Sequence, residues 1–309
     1  TIKGDYLVKS IGDSAFEGNT TITGISFPDS ITEIGRRAFY GCIGLKEAVL
    51  PGNLEKLGFA AFEGCSSLNY VWWPKTLTVF ETEIYDETTE EYVYGRPFDD
   101  TGDTLCVEFE EGTVKIPDGC FVEMSNLKKV IIPDSVTDIG IFAFAYTGLT
   151  EVSVPALDGD LETSEMFIGC PLEKVELAEG TKKIYPLMFG ETEIRSISLP
   201  DSVEEIGGNA FAYCDKLEEV KWPESLKKID VNAFGNCSSL KEVILPEQVE
   251  IIGPDAFGYC TGMTTLYLPA SLKQAGGILT DMDGNEIYVS AFEGCTSLKE
   301  VRFGAGTEK

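Results

Sequence analysis

The sequence contains no histidine at all. That removes the usual general base, the Ser-His-Asp and Cys-His nucleophile arrangements, and every His-ligated metal site. Positive charge is scarce: 24 basic residues stand against 52 acidic ones, for a net charge of −28. Such a surface repels nucleic acid and anionic lipid, and it favours a soluble, monomeric chain. No apolar run reaches the length needed to cross a bilayer, so membrane insertion is not expected. The nine cysteines include no C-x-x-C pair, which argues against a zinc or thioredoxin-like motif. No cofactor or metal is expected, and an enzyme is not the reading.

What the chain has is a period. Phe16, Phe39, Phe62, Phe98, Phe121, Phe144, Phe167, Phe189, Phe211, Phe234, Phe257 and Phe292 each follow a small or apolar residue. The steps between them are 23, 23, 36, 23, 23, 23, 22, 22, 23, 23 and 35 residues. A near-constant period in this range means a solenoid, in which each repeat buries its apolar face against its neighbours. The 309 residues are therefore expected to form one domain over 1–309, because a stack of coils has no single core to saturate.

Two repeats show the plan. Residues 206–223 read IGGNAFAYCDKLEEVKWP and residues 229–246 read IDVNAFGNCSSLKEVILP. Counting from Phe, Cys stands at +3, Leu at +6, Val at +9, a large apolar residue at +11 and Pro at +12. The V-x-L part alternates with period 2 and predicts a short strand with one buried face. Pro ends it, because proline cannot donate to a ladder. The following Asp-Ser or Glu-Ser supplies turn chemistry. A second apolar pair, V-x-x-I, carries the chain across the bottom of the coil. The Ala-Phe segment is expected to form one turn of α- or 3₁₀-helix, with Phe filling the convex side.

The signature A-F-x-x-C-x-x-L-x-x-V-x-L-P resembles the bacterial surface leucine-rich repeats of the BspA-like, or Treponema pallidum, type, over nearly the whole chain. The resemblance implies an α/β fold class: a β-rich, right-handed leucine-rich-repeat solenoid of about twelve repeats of 22–23 residues, with a parallel concave sheet. It also implies an extracellular or cell-surface location in a bacterium and a role in adhesion and protein binding.

Seven cysteines occupy the +3 position: Cys42, Cys65, Cys170, Cys214, Cys237, Cys260 and Cys295. Stacked in register, their side chains point the same way rather than at each other, so a ladder of buried thiols is expected instead of disulfides. Cys120 stands where Ala is usual and should also be packing. Cys106 falls at +8, on the exposed phase of a strand, and is the one candidate for a reactive or solvent-facing thiol.

Positions +8 and +10 should project from the sheet, shifting to +7 and +9 in the shorter repeats from Phe144 to Phe189. Most residues there are small or charged. The exceptions are Val49, Tyr70 and Trp72, and a smaller cluster of Ile244 and Tyr267. Exposed aromatics on a rigid surface are the residue types that dominate interface energetics. Shielding of Trp72 by the adjacent insertion is the competing expectation. The two long steps mark insertions, near residues 80–96 and 276–290, that read as β-hairpins. Their Tyr85, Tyr92, Tyr94 and Tyr288 complete the set of candidate partner-binding residues. Asp281, Asp283, Asn285 and Glu286 resemble a fragment of a calcium loop, but Asp283-Gly284 fits a hairpin turn better.

The leading expectation is thus a non-catalytic binding module for a host or neighbouring-cell surface protein, using the concave sheet and the hairpins. A glycan ligand, or a spacer that displays other domains, are the alternatives. Thr1 in place of a methionine, and the lack of a polar cap after Val301, suggest an excerpt of a longer chain.

Overall fold

The computed structural model describes residues 7–81, 83–86, 91–158, 164–280 and 286–305, with backbone alone at 83–86 and 91–94. Each coil contributes to three ladders of hydrogen bonds between successive coils. The first is the main sheet. Its eleven strands run from Glu47–Val49 through Tyr70–Trp73, Leu105–Phe109 and Leu127–Ile131 to Thr265–Leu268 and Glu300–Phe303. They pair in parallel, in groups of four, two, two and three. Burial alternates along each strand, as the period-2 reading requires: Ala48, Val71, Val107 and Val243 point in, and Glu47, Val49, Glu242 and Ile244 point out.

The second ladder is built by the V-x-x-I segment. It is more than a crossing: it forms two-residue parallel strands such as Glu33–Ile34, Lys56–Leu57, Glu205–Ile206 and Lys228–Ile229. The isoleucines point into the core, while the outer residues alternate in charge. Lys56 meets Glu33 at 3.4 Å, Lys115 meets Asp138 at 2.9 Å and Lys228 meets Glu205 at 3.1 Å. Exposed pairs of this kind contribute at most about 1 kcal/mol each. Between the two ladders the proline carbonyl closes a tight turn, accepting from Leu54, Val203, Leu226 and Val249 at 2.9–3.2 Å. The serine of that turn reaches the previous coil: Ser202 Oγ donates to the Thr181 carbonyl and Ser271 Oγ to that of Val249.

The third ladder corrects the expectation of a helical turn. Around each Phe the chain forms successive turns, and no helix occurs among the described residues. The backbone shows why. All sixteen non-glycine residues with positive φ sit two residues before or after a repeat Phe, for example Arg37 (φ 52°), Asn209 (57°), Tyr213 (60°) and Tyr259 (56°). Left-handed residues on both sides prevent helical continuation. Alternate N–H groups turn outward to the next coil instead: Arg37, Phe39 and Gly41 donate to the carbonyls of Phe59, Ala61 and Glu63 at 2.8–2.9 Å. The α component of the expected class is therefore absent from the described residues, and the rest of the solenoid stands.

Inside the coils the Phe rings form one column. Ten neighbouring pairs have centroids 5.0–5.8 Å apart and planes within 19° of parallel. Ten of the twelve rings are buried; Phe16 and Phe292, in the outermost coils, are partly exposed. The first long step interrupts the second ladder after Val79–Phe80. Glu83–Asp86 and Glu91–Tyr94 pair there as an antiparallel hairpin. The second gives Gly277–Thr280 paired with Glu286–Val289.

Candidate functional site

The cysteine ladder takes no part in a site. Every +3 thiol donates to the carbonyl of the repeat Phe in the preceding coil: Cys42 to Phe16, Cys65 to Phe39, Cys170 to Phe144 and Cys237 to Phe211, at 3.0–3.3 Å. Thr147 and Thr192 hold the same position and contact the next thiol at 3.2 and 3.3 Å. Burial pushes Cys65 and Cys260 up to about 12 and Cys214 up to about 11, so these thiols are not nucleophiles. All nine cysteines are free. Cys106 differs from the expectation of an open, reactive thiol. It is half-buried beside Tyr70, and burial raises its pKa despite the Lys129 charge.

On the main sheet the register places Val49, Trp72, Glu108 and Ile131 in one outward row, and Glu47, Tyr70, Cys106 and Lys129 in the other. Val49 is 47% exposed and Ile131 40%. Tyr70 and Trp72 are half-buried, so neither fully open rings nor full shielding describes them. Their rings lean on the sheet and each other's rows. The Tyr70 hydroxyl donates to Glu108 Oε2 at 2.8 Å, crossing from one row to the other. Burial first, and then this carboxylate, push the Tyr70 phenol up to about 12. Trp73, next in sequence, points the other way and is buried against Phe109 and Phe121. Period 2 separates the two tryptophans.

Ile131 is the residue that the sequence reading left out of the apolar cluster. Two coils and an insertion separate it from Trp72 in sequence, and only the register brings it into line. Beyond it the main sheet breaks before Glu151–Val154, where Lys129, Ile131, Glu151, Ser153, Lys174 and Glu176 line a cavity of about 300 Å³.

The second cluster lies near the far end. Ile244 pairs with Tyr267, and Tyr267 with Arg302. Ile244 is exposed, and the Tyr267 hydroxyl donates to Glu247. In the second hairpin Tyr288 is 70% exposed, yet its hydroxyl donates to the Ala275 carbonyl at 2.8 Å. Ile278 and Ile287 are exposed beside it. In the first hairpin Tyr85 opposes Tyr92, and Glu83 opposes Tyr94, along the backbone; their side chains lie outside the described residues. Asp281, Asp283 and Asn285 of the calcium-loop fragment also lie outside them. Among the described residues no group of three His, Cys, Asp or Glu could hold a metal ion. No helix there is long and apolar enough to cross a membrane.

The model of the BspA type leucine rich repeat region (6 copies) matches residues 2–96, 87–164 and 163–279. The chain belongs to the BspA-type leucine-rich repeat family. No curated protein matches it. Among solved structures, a leucine rich cell surface protein from Faecalibacterium prausnitzii is 25% identical, with 98% of this chain and 85% of that one covered and a TM-score of 0.45. A leucine-rich repeat protein from Bacteroides ovatus is 26% identical, covering 96% and 82%, with a TM-score of 0.49. The leucine-rich repeat protein of T. pallidum is 20% identical, covering 78% and 75%, with a TM-score of 0.25. As a BspA-type array the chain is, in general terms, a protein-interaction scaffold, and its binding surface is a repeat face rather than a pocket.

Proposed function

We propose that this BspA-type array is a non-catalytic, monomeric binding module of a bacterial cell-surface or secreted protein, and that it takes a host or neighbouring-cell protein on the main sheet. The observation that carries this reading is the row Val49, Trp72, Glu108, Ile131, with Tyr70 tied to Glu108 beside it. Exposed aliphatic side chains flank two aromatic rings whose orientation is already fixed. A partner would bury apolar area there at little cost in side-chain entropy. Ile278, Ile287 and Tyr288 of the second hairpin supply a further contact. The alternatives of a glycan site and a display spacer have no specific geometric feature in their favour.

The test compares recovery of surface proteins from host and bacterial cells by the wild type and by a Tyr70→Ala/Trp72→Ala double variant. Loss of one defined partner with the double variant, at unchanged thermal stability, supports the reading. Equal recovery of that partner by both sinks it.

A further inference from the structure

The turn face, on the Phe side of the coils, carries a pattern that the main sheet does not. In the second coil Arg37 lies over the Tyr40 ring, its guanidinium carbon 3.6 Å from the centroid. The same guanidinium is paired with Glu17 of the first coil at 2.5 Å. A cation thus sits between a turn-face ring and a turn-face carboxylate, with both partners one or two residues from a repeat Phe.

From Phe121 onward the same face has rings and carboxylates but no cation. The eight six-residue segments centred on the repeat Phe residues, 118–123, 141–146, 164–169, 186–191, 208–213, 231–236, 254–259 and 289–294, contain no Lys or Arg. They contain Asp118, Glu123, Glu165, Glu191, Asp255 and Glu293. Three of them present tyrosine at +2: Tyr146 is 44% exposed, Tyr213 55% and Tyr259 50%. These rings are held in place. A Cβ built on Gly169 would stand 2.3 Å from the Tyr146 ring, and one on Gly294 would stand 2.6 Å from the Tyr259 ring. Each ring therefore lies against the glycine of the next coil, with the remainder open to solvent. Tyr213 borders a cavity of about 400 Å³ lined also by Glu191, Glu193 and Asp215, whose one lysine, Lys216, is already paired with Glu193. Burial and then the charges of Glu191, Glu165 and Glu123 raise the Tyr146 phenol, which places those carboxylates around the ring.

We propose that this turn face, along Tyr146, Tyr213 and Tyr259, is a second interaction surface that docks an arginine- or lysine-rich protein segment. The partner's cations would occupy the place that Arg37 fills within the chain between Tyr40 and Glu17. Cation–π contact on the rings would add to attraction by the surrounding carboxylates. This surface is separate from the main-sheet row and does not depend on it.

The probe is a fluorescent peptide of alternating arginine and glycine, titrated by anisotropy at physiological salt. A chain of this charge attracts any polycation, so the decisive variants remove rings without altering charge. Tyr146→Asn/Tyr213→Asn/Tyr259→Asn keeps the backbone, because Asn236 already holds the same +2 position at φ 62°. The expected result is a loss of affinity of about tenfold or more for three cation–π contacts. The triple Phe variant should retain binding, and Tyr70→Ala/Trp72→Ala should not change it. A second pair of variants keeps the test open if the Asn triple is destabilised. Glu123→Gln/Glu165→Gln/Glu191→Gln should weaken binding more than Glu47→Gln/Glu151→Gln/Glu219→Gln, which removes the same charge from the main sheet. Unchanged affinity in the Asn triple, equal loss in the Phe triple, or equal loss in the two Gln triples would each overturn the proposal.

Discussion

Tyr70 donates its phenolic hydrogen to Glu108 of the next coil at 2.8 Å, and the bond joins the two outward rows of the main sheet. Tyr70→Phe should lower stability by about 1 kcal/mol, the usual net worth of such a bond. Glu108→Gln should bring the Tyr70 phenol down from about 12 while leaving it above the ordinary range, because burial is the larger cause. Ultraviolet titration of the phenol checks both the direction and the ranking of causes. A fall to an unperturbed value would mean that the carboxylate dominates.

The thiol ladder makes a prediction about packing. Cys237→Ala removes a buried donor to the Phe211 carbonyl and leaves a small void, so it should cost about 1–2 kcal/mol. Cys237→Thr should cost less, since Thr147 and Thr192 fill the same position in other coils. Chemical denaturation measures the difference. In the folded protein a thiol reagent should modify Cys106 and Cys295 first, the two that are not fully buried.

The left-handed positions offer a stabilising change. Asp100 stands two residues after Phe98 at φ 50°, where Gly41 and Gly64 stand in earlier coils. Asp100→Gly should raise stability by about 0.5–1 kcal/mol by relieving that conformation. It also removes one of the charges that, after burial, push the Glu63 carboxyl up. A higher melting temperature together with a lower Glu63 pKa is the expected outcome, and a lower melting temperature contradicts it.

Acid should act through Glu81. Burial alone would raise its carboxyl, but Arg36, the Phe59 N–H and Lys56 outweigh it and hold the group at about 2. A folded pKa below the unfolded value means that the group stabilises the fold above the unfolded pKa, here near 4.5. That contribution is lost as pH falls from about 4.5 to about 2. Glu81→Gln should flatten this part of the stability profile. An unchanged acid limb would place the loss on other carboxylates.

The repeat signature made most of the interior legible before any coordinates. Val71, Leu68, Cys65 and Phe62 are buried as their offsets from Phe imply, because period 2 and the coil length decide which side chains face in. The helical turn was misread because A-F-x-x-C has no glycine or proline in most coils to announce a left-handed residue. Tyr213 and Glu191 adopt positive φ because hydrogen bonds to the next coil hold them there. The candidate site was half legible: the offset placed Val49, Tyr70 and Trp72 on one face, but not the inward lean of the two rings.

The sequence by itself determined the solenoid, its register, its reduced thiol ladder and the places where insertions enter. These depend on local periodicity, which is written in consecutive residues. Only the tertiary structure decided that V-x-x-I forms a second ladder and that Ile131 joins the Trp72 row. It alone showed that Arg37 lies on Tyr40 while Tyr146, Tyr213 and Tyr259 have no such cation. Those relationships cross from coil to coil, between residues about a full repeat or more apart, or depend on how a turn folds back on itself. Neighbours of that kind exist only once the coils have closed and stacked.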